Sequence, residues 1–231
     1  MIPSRVRAAL LLMTAALFAA AQSRTMQQGA HRMEIALERM DGSNWRAIDP
    51  GLVLEQGDRV RFRFRTNFDG YLYVTNQNSS GHYEQLFPRD ETGQDNHIIG
   101  NRDYQVPATS SAFKIAGPPG YETVYWLVAP VRLTEPPPRF EPVPTRFKST
   151  PLPGLIPRCD DAILKARGDC VDHGAGPKLV PRGEDLPQTL ADAAGQSRRD
   201  LLFMQQTDKS VIASPSPLTG PVIYEFKLAH K

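Results

Sequence analysis

At 231 residues the chain is long enough for one or two domains with a packed core. Its 27 basic and 25 acidic side chains give a formal charge of +2. Residues 1–21 hold two arginines and no acid; without them basic side chains fall to 25 and the charge to zero, which excludes the overall basic excess expected of a nucleic-acid-binding domain.

The first stretch reads as a secretory signal. Arg5 and Arg7 precede the short apolar run Ala8 to Ala20, and Ala19-Ala20-Ala21 fits a small-residue cleavage site. The run is short for a membrane span, although an uncleaved anchor is the alternative. No cysteine stands near the cleavage point to carry a lipid, and no later stretch is apolar enough to cross a bilayer. The expected location is exported, periplasmic or extracellular, and peripheral to a membrane at most.

After a polar stretch at 22–29, Met33, Ile35 and Leu37 recur at every second residue and predict a strand over Met33 to Met40. Asp41 to Asn44 is a turn, Trp45 to Ile48 a short partner strand, and Asp49-Pro50-Gly51 a break.

Asp58 to Pro88 reads as three consecutive antiparallel strands. In the first, Val60, Phe62 and Phe64 alternate with Arg59, Arg61, Arg63 and Arg65. Period two sorts the apolar residues to one face and the arginines to the other. Asn67 to Gly70 then supplies an expected tight hairpin, because Asp-Gly tolerates positive φ. Tyr71 to Thr75 resumes a strand, Asn76 to Gly81 turns, and His82 to Phe87 runs until Pro88 ends it.

The series GDRVRFRFR, DGYLYV, SGHYEQLFP, HIIGNRDYQVP and AGPPGYE resembles the bacterial family of exported domains known as DUF4384. The resemblance runs from about Leu52 to Pro130, with a return at the C-terminal strand. It implies an all-β module attached to envelope or secreted proteins. It implies no activity.

Beyond Pro88, RDETGQDN is a charged loop. His97 to Gly100, Arg102 to Val106 and Ala112 to Ala116 are short extended pieces, and Gly117-Pro118-Pro119-Gly120 turns the chain. Tyr121 to Val131 is apolar on both faces over its second half, as a central sandwich strand is. Leu133 to Pro157 carries eight prolines. It reads as a spacer or as an insertion returning to the same core, and the second is favoured because the rest is too polar to build a core alone. Its PPPRFEPVP run is either a stiff connector or a docking segment.

In an exported protein Cys159 and Cys170 are expected to pair, closing a short loop worth about 3 kcal/mol on the chain-entropy estimate. Two separate buried thiols are the alternative. One helical turn is expected over Asp161 to Ala166 and a loop over His173 to Glu184. A longer helix is expected over Leu186 to Ala194, with Gly195 at its end. Leu201 to Gln205 and Val211 to Ala213 form a small hairpin, and Val222 to Leu228 is the closing strand. The expected fold is therefore an all-β, antiparallel β-sandwich, with an immunoglobulin-like topology as a guess. The expected organisation is a signal peptide at 1–21 and a single domain at 22–231. Within it, 133–200 is a proline-rich, disulfide-bearing and partly helical insertion.

For chemistry, the chain has no GxSxG elbow and no HxxxH or HExxH. The five histidines are scattered; His82 and His97 meet only if the sheet brings them together. Asp90, Glu91 and Asp95 lack the spacing of a calcium loop. No catalytic, metal or cofactor residue is assigned, and the chain is read as no enzyme; a hydrolase with an unrecognised triad is the outlying alternative. The candidate binding surface is the row Arg59, Arg61, Arg63 and Arg65, spaced about 7 Å apart, with Tyr71 and Tyr73 among them if register allows. It suits an envelope or secreted protein partner, or an anionic glycan or envelope polymer. The structural alternative is a solvated face paired with cross-strand acids.

Overall fold

The computed structural model describes residues 31–78, 81–88, 95–107, 112–133, 156–160, 162–166, 169–184 and 186–231. The expected signal segment, the proline tract at 134–155 and the charged loop at 89–94 lie outside the described residues. Two antiparallel sheets face each other. Sheet I holds β1 (His31–Asp41), β2 (Asn44–Ile48), β3 (Arg59–Thr66), β7 (Asp103–Val106), β8 (Phe113–Lys114), β11 (Leu202–Gln205) and β12 (Ser210–Ser214). Its order is β11-β12-β1-β3-β7, with β2 beside β1 and β8 beside β3. Sheet II holds β4 (Gly70–Gln77), β5 (Tyr83–Phe87), β6 (His97–Ile98), β9 (Gly120–Ala129), β10 (Gly176–Leu179) and β13 (Val222–His230). Its order is β10-β13-β9-β4-β5, with β6 beside β4. Two short helices, α1 (Ala162–Ala166) and α2 (Gln188–Gln196), complete the described elements.

The period-two sorting holds in β3. Val60, Phe62 and Phe64 are buried, while Arg59, Arg63 and Arg65 are exposed and Arg61 is half-buried. Phe62 meets Trp126 and Phe226 from sheet II edge-on, at centroid distances of 5.4 and 4.9 Å. Phe64 packs edge-on against the same Trp126 at 5.5 Å. Offset and edge-on aromatic pairs add to the hydrophobic term, so this cluster is the energetic centre of the sandwich.

The expected three-strand meander is corrected. β4 and β5 do form a hairpin, but β3 pairs with β1, β7 and β8, never with β4. Residues 67–70 carry the chain across from sheet I to sheet II. The Asn67 side chain accepts from the Arg32 backbone N–H at 2.6 Å, and Asp69 accepts from that of Gly100 at 2.7 Å. The Phe68 ring stacks on His31 at 4.4 Å. Gly70 is needed for space rather than for positive φ, because a Cβ there would stand 3.0 Å from the carbonyl of Ala129. A hairpin and a crossover use the same polar, glycine-bearing residues, so local sequence does not separate them.

β9 is central in sheet II, between β13 and β4, and is buried along nearly all its length. Its inward residues Val124, Trp126 and Val128 belong to the main core. Its outward Tyr125 and Leu127 form a second cluster with Tyr73, Tyr83 and Ile223, covered by Val180, Leu190 and Ala193. Leu190 and Ala193, one turn apart on α2, supply the apolar stripe. The expected helix end at Gly195 is corrected: Gly195 lies inside α2, and the chain leaves at Ser197 in an extended conformation. The Ser197 hydroxyl accepts from the Ile223 N–H at 3.0 Å, tying the helix end to β13. The segment expected as loop at His173 to Glu184 contains β10, an edge strand whose Pro177 breaks the apolar pattern by which strands are recognised.

Cys159 and Cys170 are bonded, with Cα atoms 4.7 Å apart. Beside them the buried Asp172 accepts from the Tyr121 hydroxyl at 2.6 Å and from the N–H groups of Arg158 and Gly174 at 2.8 and 2.6 Å. Burial alone would raise its pKa, but these donors hold it below the usual aspartate value.

Candidate functional site

The four arginines share the outer face of sheet I. Antiparallel register sets Arg61 opposite Glu38, Arg63 opposite Ala36 and Arg65 opposite Glu34 on β1. Arg61 is the anchored member. Its Nε donates to Glu38 at 2.7 Å, its Nη1 to Gln105 at 2.9 Å, and its guanidinium lies 4.2 Å over the Trp45 ring. Arg63 reaches the same Glu38 at 3.4 Å but keeps 58% of its side chain exposed. Arg65 donates to the carbonyl of Asn101 at 2.6 Å. Arg59 makes no ion pair among the described residues and stands opposite Lys114 on β8. Glu34 is shared by Arg32 at 3.0 Å and Lys209 at 2.9 Å. Burial acts to raise its pKa, and Lys209, Arg32 and Arg65 together outweigh that to leave it lowered. Two glutamates thus serve four cations, Asp103 on β7 stands opposite Arg65, and the face still keeps a positive excess.

Tyr71 and Tyr73 do not join them. The crossover at 67–70 puts both on the outer side of sheet II, away from the arginine face. Tyr73 is buried beside α2, and Tyr71 leans on the His97 ring at 5.2 Å. His82 and His97 do not meet either: one follows the turn after β4 and the other pairs at its start. Among the described residues no three histidine, cysteine or carboxylate groups stand close enough for a metal ion, and no helix is long and apolar enough to cross a membrane.

A second feature is absent from the reading of the sequence. At one end of the sandwich a pocket of about 340 Å³ opens between β8 and the β4–β5 hairpin. Leu86, Phe113, Ile115 and Leu228 give it apolar walls, and Asn76 and Glu122 line its interior. Asn76 Nδ2 donates to Glu122 Oε2 at 3.0 Å, and His230 Nε2 stands 3.6 Å from Glu122 Oε1. The sequence does carry a signal for it. Glu122 shares period-two phase with Val124 and Trp126, and Asn76 with Leu72 and Val74, so each is a polar residue on a core-facing register.

A third polar cluster lies on the outer side of sheet II. Tyr125 hydroxyl stands 3.1 Å from Glu184 and 3.2 Å from Gln77, and the buried Glu225 pairs with Lys227 at 3.2 Å. Burial raises the Glu225 pKa; Lys227 opposes that, and the nearby Glu184 charge reinforces it. A carboxyl with a raised folded-state pKa adds stability that is full below its unfolded value and is lost as pH rises through the folded one. Glu225→Gln removes that loss. It is expected to raise the Tm by about 2–4 °C at pH 8, as a change of about 1 kcal/mol does for a chain of this size. The gain should vanish near pH 4. Thermal melts across this range check it; a lower Tm at pH 8 would mean that the Lys227 pair dominates.

Residues 53–132 match the family described as Domain of unknown function (DUF4384). That stretch supplies β3 to β9, so it contributes to both sheets, while β1 and β13, each flanked by strands on both sides, come from outside it. The arginine row and nearly all the pocket lining fall within it. No curated protein and no solved structure matches the chain.

Proposed function

We propose that this chain, whose residues 53–132 carry the DUF4384 match, is an exported, non-enzymatic recognition module that docks an acidic protein partner on the outer face of sheet I. The observation that carries the reading is the exposure of Arg59 and Arg63 on a rigid strand whose neighbouring glutamates are already shared. Guanidinium groups held in a row offer planar, paired donors to carboxylates, and the Arg61–Trp45 stack fixes the row from one side. The Cys159–Cys170 bridge supports an oxidising compartment.

The test is capture of partners from envelope extract with the intact protein and with Arg59→Glu plus Arg63→Glu. Both positions are exposed, so folding should persist, as a melt would verify. The specific partner is expected to fall by about tenfold or more, and its binding to weaken with salt. An unchanged capture profile from folded double variant overturns the reading. Retention on an anionic polysaccharide, without any protein captured, replaces the partner by a polymer.

A further inference from the structure

We propose that the pocket at the end of the sandwich is a binding site for a compact primary ammonium carried on a short apolar body. Two carboxylates line it from opposite sides, Glu122 on β9 and Glu84 on β5, against a single lysine, Lys114, at the exposed rim. Both carboxylates already have partners, and a carboxylate can accept from several donors at once. By formal charge the described lining residues set two carboxylates against one ammonium.

Asn76 strengthens the assignment. Its Nδ2 is committed to Glu122, which fixes the amide orientation; a flip would set oxygen against carboxylate. Its Oδ1 is then a buried acceptor with no donor among the described residues. Leaving such an atom unpaired costs free energy, and a donor entering the pocket floor would recover it. His230 does not supply that donor. Its Nε2 is beyond hydrogen-bond reach of Glu122 and has no hydrogen-bond partner among the described residues, and burial holds its pKa below the usual histidine value. An ammonium offers three N–H donors and one charge, which match Glu122 and Asn76 together. Phe113, Ile115 and Leu228 then receive the alkyl part. The volume admits a small molecule or one side chain and no folded segment.

The same chemistry comes from a free monoamine or from a lysyl side chain on a peptide. An amide NMR titration at pH 7.5 with n-butylamine and with Nα-acetyl-lysine amide separates the two sources. Sodium butyrate and n-butanol are the controls. Saturable shifts at Asn76, Ile115 and Glu122 are expected with at least one amine. Affinity should be about tenfold or more weaker in Glu122→Gln, which keeps the contact to Asn76 and removes the charge. Should that buried variant fail to fold, the exposed Glu84→Gln serves instead and should weaken binding several-fold. Arg63→Glu alone, on β3 beyond the residues that pair with β8, should leave amine binding unchanged, which separates this site from the arginine face. Absence of saturable shifts with both amines overturns the assignment. So does equal binding of butanol and butylamine, or full affinity in both folded carboxylate variants.

Discussion

Phe62→Ala is expected to lower the free energy of unfolding by about 3–5 kcal/mol, the usual cost of deleting a buried aromatic ring. Phe62 is fully buried and touches Phe113, Trp126 and Phe226, so its loss opens a cavity bounded by both sheets. Rings on two facing sheets cannot both collapse into that space without bending a strand. Arg63→Ala, one residue along the same strand, removes an exposed side chain whose pair with Glu38 is worth at most about 1 kcal/mol. Equilibrium denaturation followed by tryptophan fluorescence reports both, because Trp126 lies against Phe62. Comparable losses in the two variants would mean that the charged face, rather than the apolar one, holds β3 in place.

That asymmetry explains which elements are legible from residues alone. Burial with a period of two leaves its mark on every residue of a strand, so β1 and β3 are visible as strands, and the all-β sandwich follows. Pairing partners leave no such mark. β3 and β4 are adjacent in sequence, yet they lie in different sheets because the 67–70 crossover is held by Arg32 and Gly100, which are distant in sequence. The expected placement of Tyr71 and Tyr73 beside the arginines fails on that one fact. β10 escapes for a different reason: an edge strand bearing Gly176 and Pro177 is stabilised by β13 rather than by its own composition.

The candidate sites divide in the same way. The arginine row is legible because four like charges on one strand need no tertiary information to share a face. Its pairing is not, because Glu34 and Glu38 lie on β1 and Gln105 on β7. The pocket needs one further step. Glu122 and Asn76 each break an apolar register, but only the pairing of Asn76 with Val124 on β9 brings their side chains together. A polar residue in phase with a core face therefore marks a place where the interior has to open or pair, whichever strand it meets.

Asp172→Ala is expected to cost about 3 kcal/mol, because it strands three donors at once. The carboxylate gathers the Tyr121 hydroxyl from β9, the Arg158 N–H ahead of the disulfide and the Gly174 N–H behind it. It therefore pins the bridged Cys159–Cys170 loop to sheet II. Gly174 has room for no side chain here, since a Cβ would stand 2.7 Å from an Asp172 oxygen. Tyr121→Phe removes one of the three contacts and should cost about 1 kcal/mol. The pH dependence has a definite sign. With its folded pKa lowered, Asp172 contributes stability that is present above the usual aspartate value and is lost as pH falls through the lower folded one. The gap between wild type and Asp172→Ala should therefore narrow on acidification because the wild-type carboxylate loses its contribution, whereas acidification restores the contribution of Glu225. Urea unfolding of both proteins at pH 7 and pH 3 measures it. A gap that stays constant would show that the residue acts through shape and not through its charge. A gap below about 1 kcal/mol at pH 7 would leave the disulfide loop held by the bridge and the backbone bonds of Val53 and Asp172 instead.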